Sequence, residues 1–446
     1  MDNRLKKKYG LHTAIAMVVG IVIGSGVFFK AEVVLKATGG NMPLGIAAWS
    51  IVGLIMIICS YSFATLAAKY ENVNGVVDYA ETAVGSKYGY YVSWFMAIIY
   101  NPSITSVLAW VSARYTCVLL GWDITGGSSM TIACFYLISI YALNSLSPII
   151  AGKFQVTTTV IKLIPLILMA IIGSVIGLTN GVLLNNFSTA LGNSGSRGGL
   201  FASVVAVAFA YEGWILATSI NAELKDAKKN LPKALIFGSL IVVFVYIFYY
   251  VGLAGAVPTE TLMENGETGA KIAFQNIFGA AGGTLLFVFV IISCLGTLNG
   301  LMLACTRGLY AIAIRDRGFM PEAFKQVDPV TNMPTNSSVF GLFLCAFWLL
   351  YFYGANLTEP WFGPFCFDTS ELPIVTLYAA YIPIFFMVIK KEKDLNTFNR
   401  YVMPSLAILS CIFMVIAALI AHGNAVLYYL IVFMLIMLIG VKFNKA

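Results

Sequence analysis

Three short stretches carry groups able to bind an ion in an otherwise apolar chain. Gly24-Ser25-Gly26 interrupts the apolar run Val19–Phe29. Phe209-Ala210-Tyr211-Glu212-Gly213-Trp214 sets a carboxylate and a glycine directly after the apolar residues 199–208. Lys162 stands alone within the apolar stretch 154–178. In a bilayer, backbone N–H and C=O groups must be satisfied inside the protein. Glycine tolerates open backbone and lets a ligand come close, so a glycine-serine-glycine triplet is a place to break a helix. The broken end presents N–H groups and a positive dipole to an anion. The N–H groups of Ser25 and Gly26 and the Ser25 hydroxyl therefore suit a carboxylate. Carbonyls ending the first half-helices, near Ile21–Ile23 and at Phe209-Ala210, suit an ammonium. The competing reading of Gly24 and Gly26 is close helix packing, for which small residues are common in membranes. Glu212 costs at least a few kcal/mol at a membrane centre unless it meets a cavity or a partner. It either biases the site toward cationic or amine substrates, shuttles a proton, or satisfies unwound backbone. Lys162 either acts in transport or only packs the bundle.

The elements that must position these groups follow from composition. Of 446 residues, 59% are hydrophobic and only 11% charged, against about 25% charged in a soluble domain. This defines an all-α integral membrane protein. The net charge of +7 reflects loop asymmetry and not nucleic-acid binding. Spans need about 20 apolar residues, and the pattern predicts about twelve: 11–36, 43–68, 90–121, 128–148, 154–178, 198–222, 233–257, 284–313, 335–353, 371–389, 402–421 and 425–441. The stretch 258–283 is long enough for a short surface helix. Lys and Arg number 21 on the N-terminal side of this alternation. The other side has 5, namely Lys30, Lys36, Arg114, Arg197 and Lys271, with Lys162 inside a span. Both termini are thereby expected in the cytoplasm of a multi-pass cell-membrane protein. The basic N-terminal run Arg4, Lys6, Lys7, Lys8 reads as the flank of an uncleaved first span. Eight cysteines show no CxxC or ligand spacing, so no metal site, cofactor or disulfide framework is expected. His12 and His422 fall near span boundaries and read as interfacial.

Interruptions in the first and sixth spans occupy matching positions of two five-span halves. That is the sequence pointer to a transporter built from inverted repeats. The chain is expected to be a single transporter domain over 1–446, with repeats at about 11–178 and 198–389 and peripheral helices at about 402–441.

IGSGVF at 23–28 and FAYEGW at 209–214 resemble signatures of the amino acid–polyamine–organocation superfamily, nearest its L-amino-acid transporter group with the bacterial serine/threonine and alanine-serine-cysteine exchangers. The Gly75…Tyr79-x-Glu81…Gly85 loop, Ile161-Lys162-Leu163-Ile164-Pro165, Glu223 with Asn230–Ala234, and Leu298-Asn299-Gly300 with Arg307 agree in order and spacing. Departures fall at Thr65, Glu71 and Asn74, and the acid of the sixth-span motif is Glu here. The resemblance implies a LeuT-like 5+5 fold with broken first and sixth helices. It implies a site of Ile23, Gly24, Ser25, Gly26, Phe209, Ala210, Glu212 and Gly213, with Phe209 as an aromatic gate. It also implies that the Lys162 ammonium stands in for the cation that bridges the first and eighth spans in sodium-coupled relatives, bonding carbonyls of the first break and Ser293, with Tyr246 in the same network. Animal members join a glycoprotein heavy chain through a cysteine after the third span. The loop Trp122–Ser129 has none, so no such partner is expected. The function implied is sodium-independent exchange of small neutral L-amino acids such as serine, threonine or alanine. A proton-coupled amino acid or amine symporter is the alternative. No nucleophile–base pair or phosphate loop points to an enzyme.

Overall fold

The computed structural model describes residues 10–70, 75–192, 197–215, 224–331, 333–357 and 359–444. Its long elements are α1 (Leu11–Val22), α2 (Gly26–Thr38), α3 (Met42–Lys69), α4 (Val76–Ala83), α5 (Ser86–Leu120), α6 (Gly127–Leu146), α7 (Pro148–Thr179) and α8 (Val182–Gly192). They continue with α9 (Arg197–Tyr211), α10 (Ala227–Ala256), α11 (Thr259–Asn265), α12 (Glu267–Ala313), α13 (Thr335–Ala355), α14 (Leu372–Lys391), α15 (Phe398–His422) and α16 (Ala425–Lys442). Among the described residues, 10 helices are long and apolar enough to cross a membrane. Two shorter apolar helices, Leu11–Gly20 and Gly198–Tyr211, coincide with the first and sixth expected spans. Arg4 to Lys8, Glu71, Asn74, Glu223 and Lys445 lie outside the described residues, as does the 216–222 part of the expected sixth span.

Large apolar side chains face outward along the spans, among them Phe135, Ile149, Val160 and Phe343. That outer surface is stable only against lipid. Helix ends follow local chemistry. Gly39 at φ 63° stops α2, and the Asn41 side chain then caps α3 by accepting from Leu44 N–H at 3.0 Å. Gly121 at φ 71° ends α5 in the same left-handed manner.

The expected surface helix within 258–283 is present but joined to the next span. α12 is 47 residues long with one non-helical residue, Gly279 at φ 74°, φ being open to glycine there at no steric cost. Lys30, counted with the charges on the far side of the expected span 11–36, lies within α2 and is buried at 2% exposure.

α7 and α10 meet backbone to backbone. A Cβ at Gly252 would lie 2.1 Å from the Met169 carbonyl oxygen, and one at Gly177 would lie 2.4 Å from Gly255 Cα. Only glycine permits that approach. The contact involves the π-helical turn Met169–Gly173 of α7, and it fixes the two helices that carry Lys162 and Tyr246.

Candidate functional site

The first span breaks where the triplet stands. α1 ends at Val22, Ile23 turns to ψ 99°, and α2 begins at Gly26 with Ser25 as its N-cap. The first N–H groups of α2 have no helical carbonyl to meet. Ser25 N–H donates to Thr297 Oγ1 of α12 at 3.3 Å, and the buried Ser25 hydroxyl has no partner among the described residues. A Cβ at Gly26 would lie 2.6 Å from Ala210 Cα, so this glycine also lets α2 touch the end of α9.

α9 stops at Tyr211. Glu212 N–H reaches the Phe209 carbonyl at 3.3 Å, and Gly213 adopts φ 104°. The Glu212 carboxylate faces the Tyr100 hydroxyl and the Gly213 N–H, yet makes no hydrogen bond of ordinary geometry to either.

Two side chains from the glycine-locked pair tie these breaks together. Tyr246 of α10 donates toward the Val22 carbonyl at 3.0 Å and the Ala210 carbonyl at 3.1 Å. Its ring is held by Trp49 and Tyr211, with centroids 5.7 and 5.1 Å away. Lys162 of α7, 3% exposed, donates to the Gly20 carbonyl at 2.6 Å, in the last turn of α1.

Between the breaks lies a cavity of about 280 Å³, at the small end for ligand sites. Gly24, Ser25, Gly26, Lys162, Phe209, Ala210, Glu212 and Gly213 line it. Ile23, Tyr246 and Ser293 stand behind its wall, and all three are buried. Ser293 Oγ has no hydrogen-bond partner among the described residues. Its carbonyl instead accepts from Thr297 Oγ1 at 3.1 Å, so the α12 residue that touches the break sits one turn beyond Ser293. A larger crevice of about 450 Å³ among α5, α14, α15 and α16 has an almost wholly apolar lining and does not suit a charged solute.

Sequence reasoning missed part of the wall: Thr297, Gln155, Asn101 and Tyr100. Polar residues inside apolar runs were the available signal. Tyr100 belongs to the π-helical turn Met96–Tyr100, a distortion common at functional sites. Buried nearby, Asn144 donates to Asn299 Oδ1 at 2.9 Å and Asn299 donates to Gln155 Oε1 at 3.0 Å, joining α6, α12 and α7.

A second cluster was also missed. Lys30 Nζ donates to Glu371 Oε1 at 2.7 Å and to Ser370 Oγ at 3.2 Å. His422 Nε2 is 3.1 Å from Glu371 Oε2. His422 is therefore not merely interfacial. Phe209 lies under Lys30, whose Nζ is 5.2 Å from the ring centroid. At the opposite end of the bundle, Arg315 pairs with Asp78 at 2.5 Å and Glu81 at 3.2 Å.

Among the described residues, an all-helical bundle with one helix broken at Gly24–Gly26 and another that stops at Tyr211, both beside a small, partly polar cavity, suits a carrier of small solutes. Comparison with known proteins agrees. Residues 9–441 match the amino acid permease family, and the chain belongs to it. It is 31% identical over 426 residues to the serine/threonine exchanger SteT of Bacillus subtilis, covering 94% of this chain and 92% of that protein. It is 24% identical to the human cystine/glutamate transporter over 74% of this chain and 65% of that one. The fold is similar to that of MhsT, solved in complex with L-phenylalanine: the TM-score is 0.60 at 14% identity, over 94% of this chain and 100% of MhsT. The protein is thus a multi-pass membrane amino acid transporter.

Proposed function

We propose that this transporter is a sodium-independent exchanger of small neutral L-amino acids such as serine, threonine and alanine, working by alternating access. The reading is carried by the Lys162 ammonium, 2.6 Å from the Gly20 carbonyl beside the first break. It puts an ammonium donor next to α1, in the role a coupling cation would otherwise take. The substrate carboxylate is assigned to the start of α2 at Ser25 and Gly26. Its ammonium is assigned to carbonyls ending α1 and α9, both placements following the helix dipoles. Phe209 covers the site. Likeness to a serine/threonine exchanger and a cavity of about 280 Å³ support a small substrate.

The same reading takes the chain as one domain of two inverted repeats, about 11–178 and 198–389, with both termini cytoplasmic in the cell membrane and no heavy-chain partner. A second reading is a proton-coupled amino acid or amine symporter, favoured by the buried carboxylate of Glu212 at the cavity wall. Counterflow separates the two. Vesicles preloaded with unlabelled L-serine should take up labelled L-serine while empty vesicles do not. Uptake into empty vesicles driven by an acid-outside gradient would establish symport and refute exchange.

A further inference from the structure

Three side-chain amides form a one-way chain that ends in the cavity. Asn144 Nδ2 donates to the Ile140 carbonyl at 3.0 Å and to Asn299 Oδ1 at 2.9 Å. Asn299 Nδ2 donates to the Ala151 carbonyl at 3.2 Å and to Gln155 Oε1 at 3.0 Å. A backbone carbonyl can only accept, so Ile140 and Ala151 fix which way Asn144 and Asn299 face. Gln155 must then turn its oxygen to Asn299 and its NH2 group away. Gln155 lines the cavity, and its Nε2 makes no hydrogen bond among the described residues. The amide lies against Gly300, where a Cβ would be 3.5 Å from Oε1 and 3.8 Å from Nε2.

Thr297 marks the level of the first break, because it accepts from the Ser25 N–H. Gly300 comes three residues later on α12, about 4.5 Å nearer the end that carries Arg315. On the proposed orientation that end is cytoplasmic. Resting on the reading of this cavity as the substrate site, we propose that Gln155 forms an inner subsite, which takes the substrate carboxylate between the start of α2 and the cytoplasm. An amide whose oxygen is already engaged has only hydrogens to offer, so it suits an oxygen. The oxygens common to all amino acids are those of the carboxylate. Glu212, the one acidic residue of the cavity lining among the described residues, faces Tyr100 of α5 instead. A neutral donor also holds a carboxylate less firmly than an ammonium does, which fits a position that the solute must leave.

The test compares the two faces of the full chain, in sealed right-side-out and inside-out vesicles at about pH 7.5. Both are preloaded with unlabelled common L-amino acids and offered a labelled mixture of the same compounds over a range of total concentrations. Gln155→Glu keeps an oxygen for Asn299 Nδ2 and replaces the donor with an anion. Its half-saturating concentration at the cytoplasmic face should rise about tenfold or more, and at the outer face stay within about twofold of the wild type. Gln155→Leu removes the donor without adding charge and should give a smaller rise at the same face. No rise at the cytoplasmic face with Gln155→Glu, or an equal rise at both faces, overturns the subsite. So does a loss larger with Gln155→Leu than with Gln155→Glu, which marks a residue needed only as an acceptor for the amide chain. If Gln155→Leu fails to reach the membrane, Gln155→Glu decides by itself. Gly26→Ala runs alongside to read the cavity. Uptake lost at both faces there, with Gln155→Glu unchanged, refutes the inner subsite alone. Gly26→Ala uptake like that of the wild type refutes the cavity as the substrate site.

Discussion

Gly24 and Gly26 are neighbours with different obligations. A Cβ at Gly24 would meet the Thr297 side chain at 3.2 Å, and a side chain can turn aside. One at Gly26 would meet Ala210 Cα at 2.6 Å, where backbone must move. Gly26→Ala should therefore abolish substrate binding while Gly24→Ala lowers it only several-fold, as read by isothermal titration with L-serine. Equal effects would argue that neither glycine is held against α9. Lys162 presents a different case. Lys162→Ala strands the Gly20 carbonyl, costing about 1–3 kcal/mol. The bundle should still assemble, with exchange at least tenfold slower in counterflow. Unchanged flux would remove Lys162 from the transport cycle.

At the level of elements, the α7–α10 contact has least tolerance. Gly252→Leu would push a side chain into the Met169 carbonyl, and overpacking of this kind costs about 1–3 kcal/mol. The expected outcome is a lower melting temperature in detergent together with lost exchange, since Lys162 and Tyr246 ride on these two helices. A variant that melts normally and transports normally would show the helices free to separate. The helix breaks themselves were legible in the sequence. Glycine, serine and a lone Glu212 inside apolar runs violate the pattern of a continuous span, and such violations mark function. The glycine contact was not legible. Gly173, Gly177, Gly252 and Gly255 look like the many other glycines of the chain until two helices are laid together.

Considered as a whole, the molecule brings its broken first span into direct contact with α12. Ser25 N–H reaches Thr297 Oγ1 directly at 3.3 Å, and the Lys162 ammonium stands beside α1. Replacing sodium by choline on both sides should leave exchange unaltered within about twofold, whereas a steep sodium requirement would contradict the reading. At this scale the sequence conveyed the order of the hydrophobic stretches, because each needs its own apolar length. It did not convey who meets whom across the bundle. Lys30 and Glu371 are 341 positions apart, and a lone lysine within the expected span 11–36 announces no partner. His422 was obscured for the same reason, since a histidine at a span end has an ordinary interfacial explanation.

The Tyr246 hydroxyl owns a single hydrogen, yet two carbonyl oxygens, those of Val22 and Ala210, lie within its reach. At any instant it can donate fully to only one of them. On the proposed reading, an α-ammonium seated there would bring three hydrogens, enough to serve both carbonyls at once. Cargo held in this way would fasten the ends of α1 and α9 to each other through its own donors.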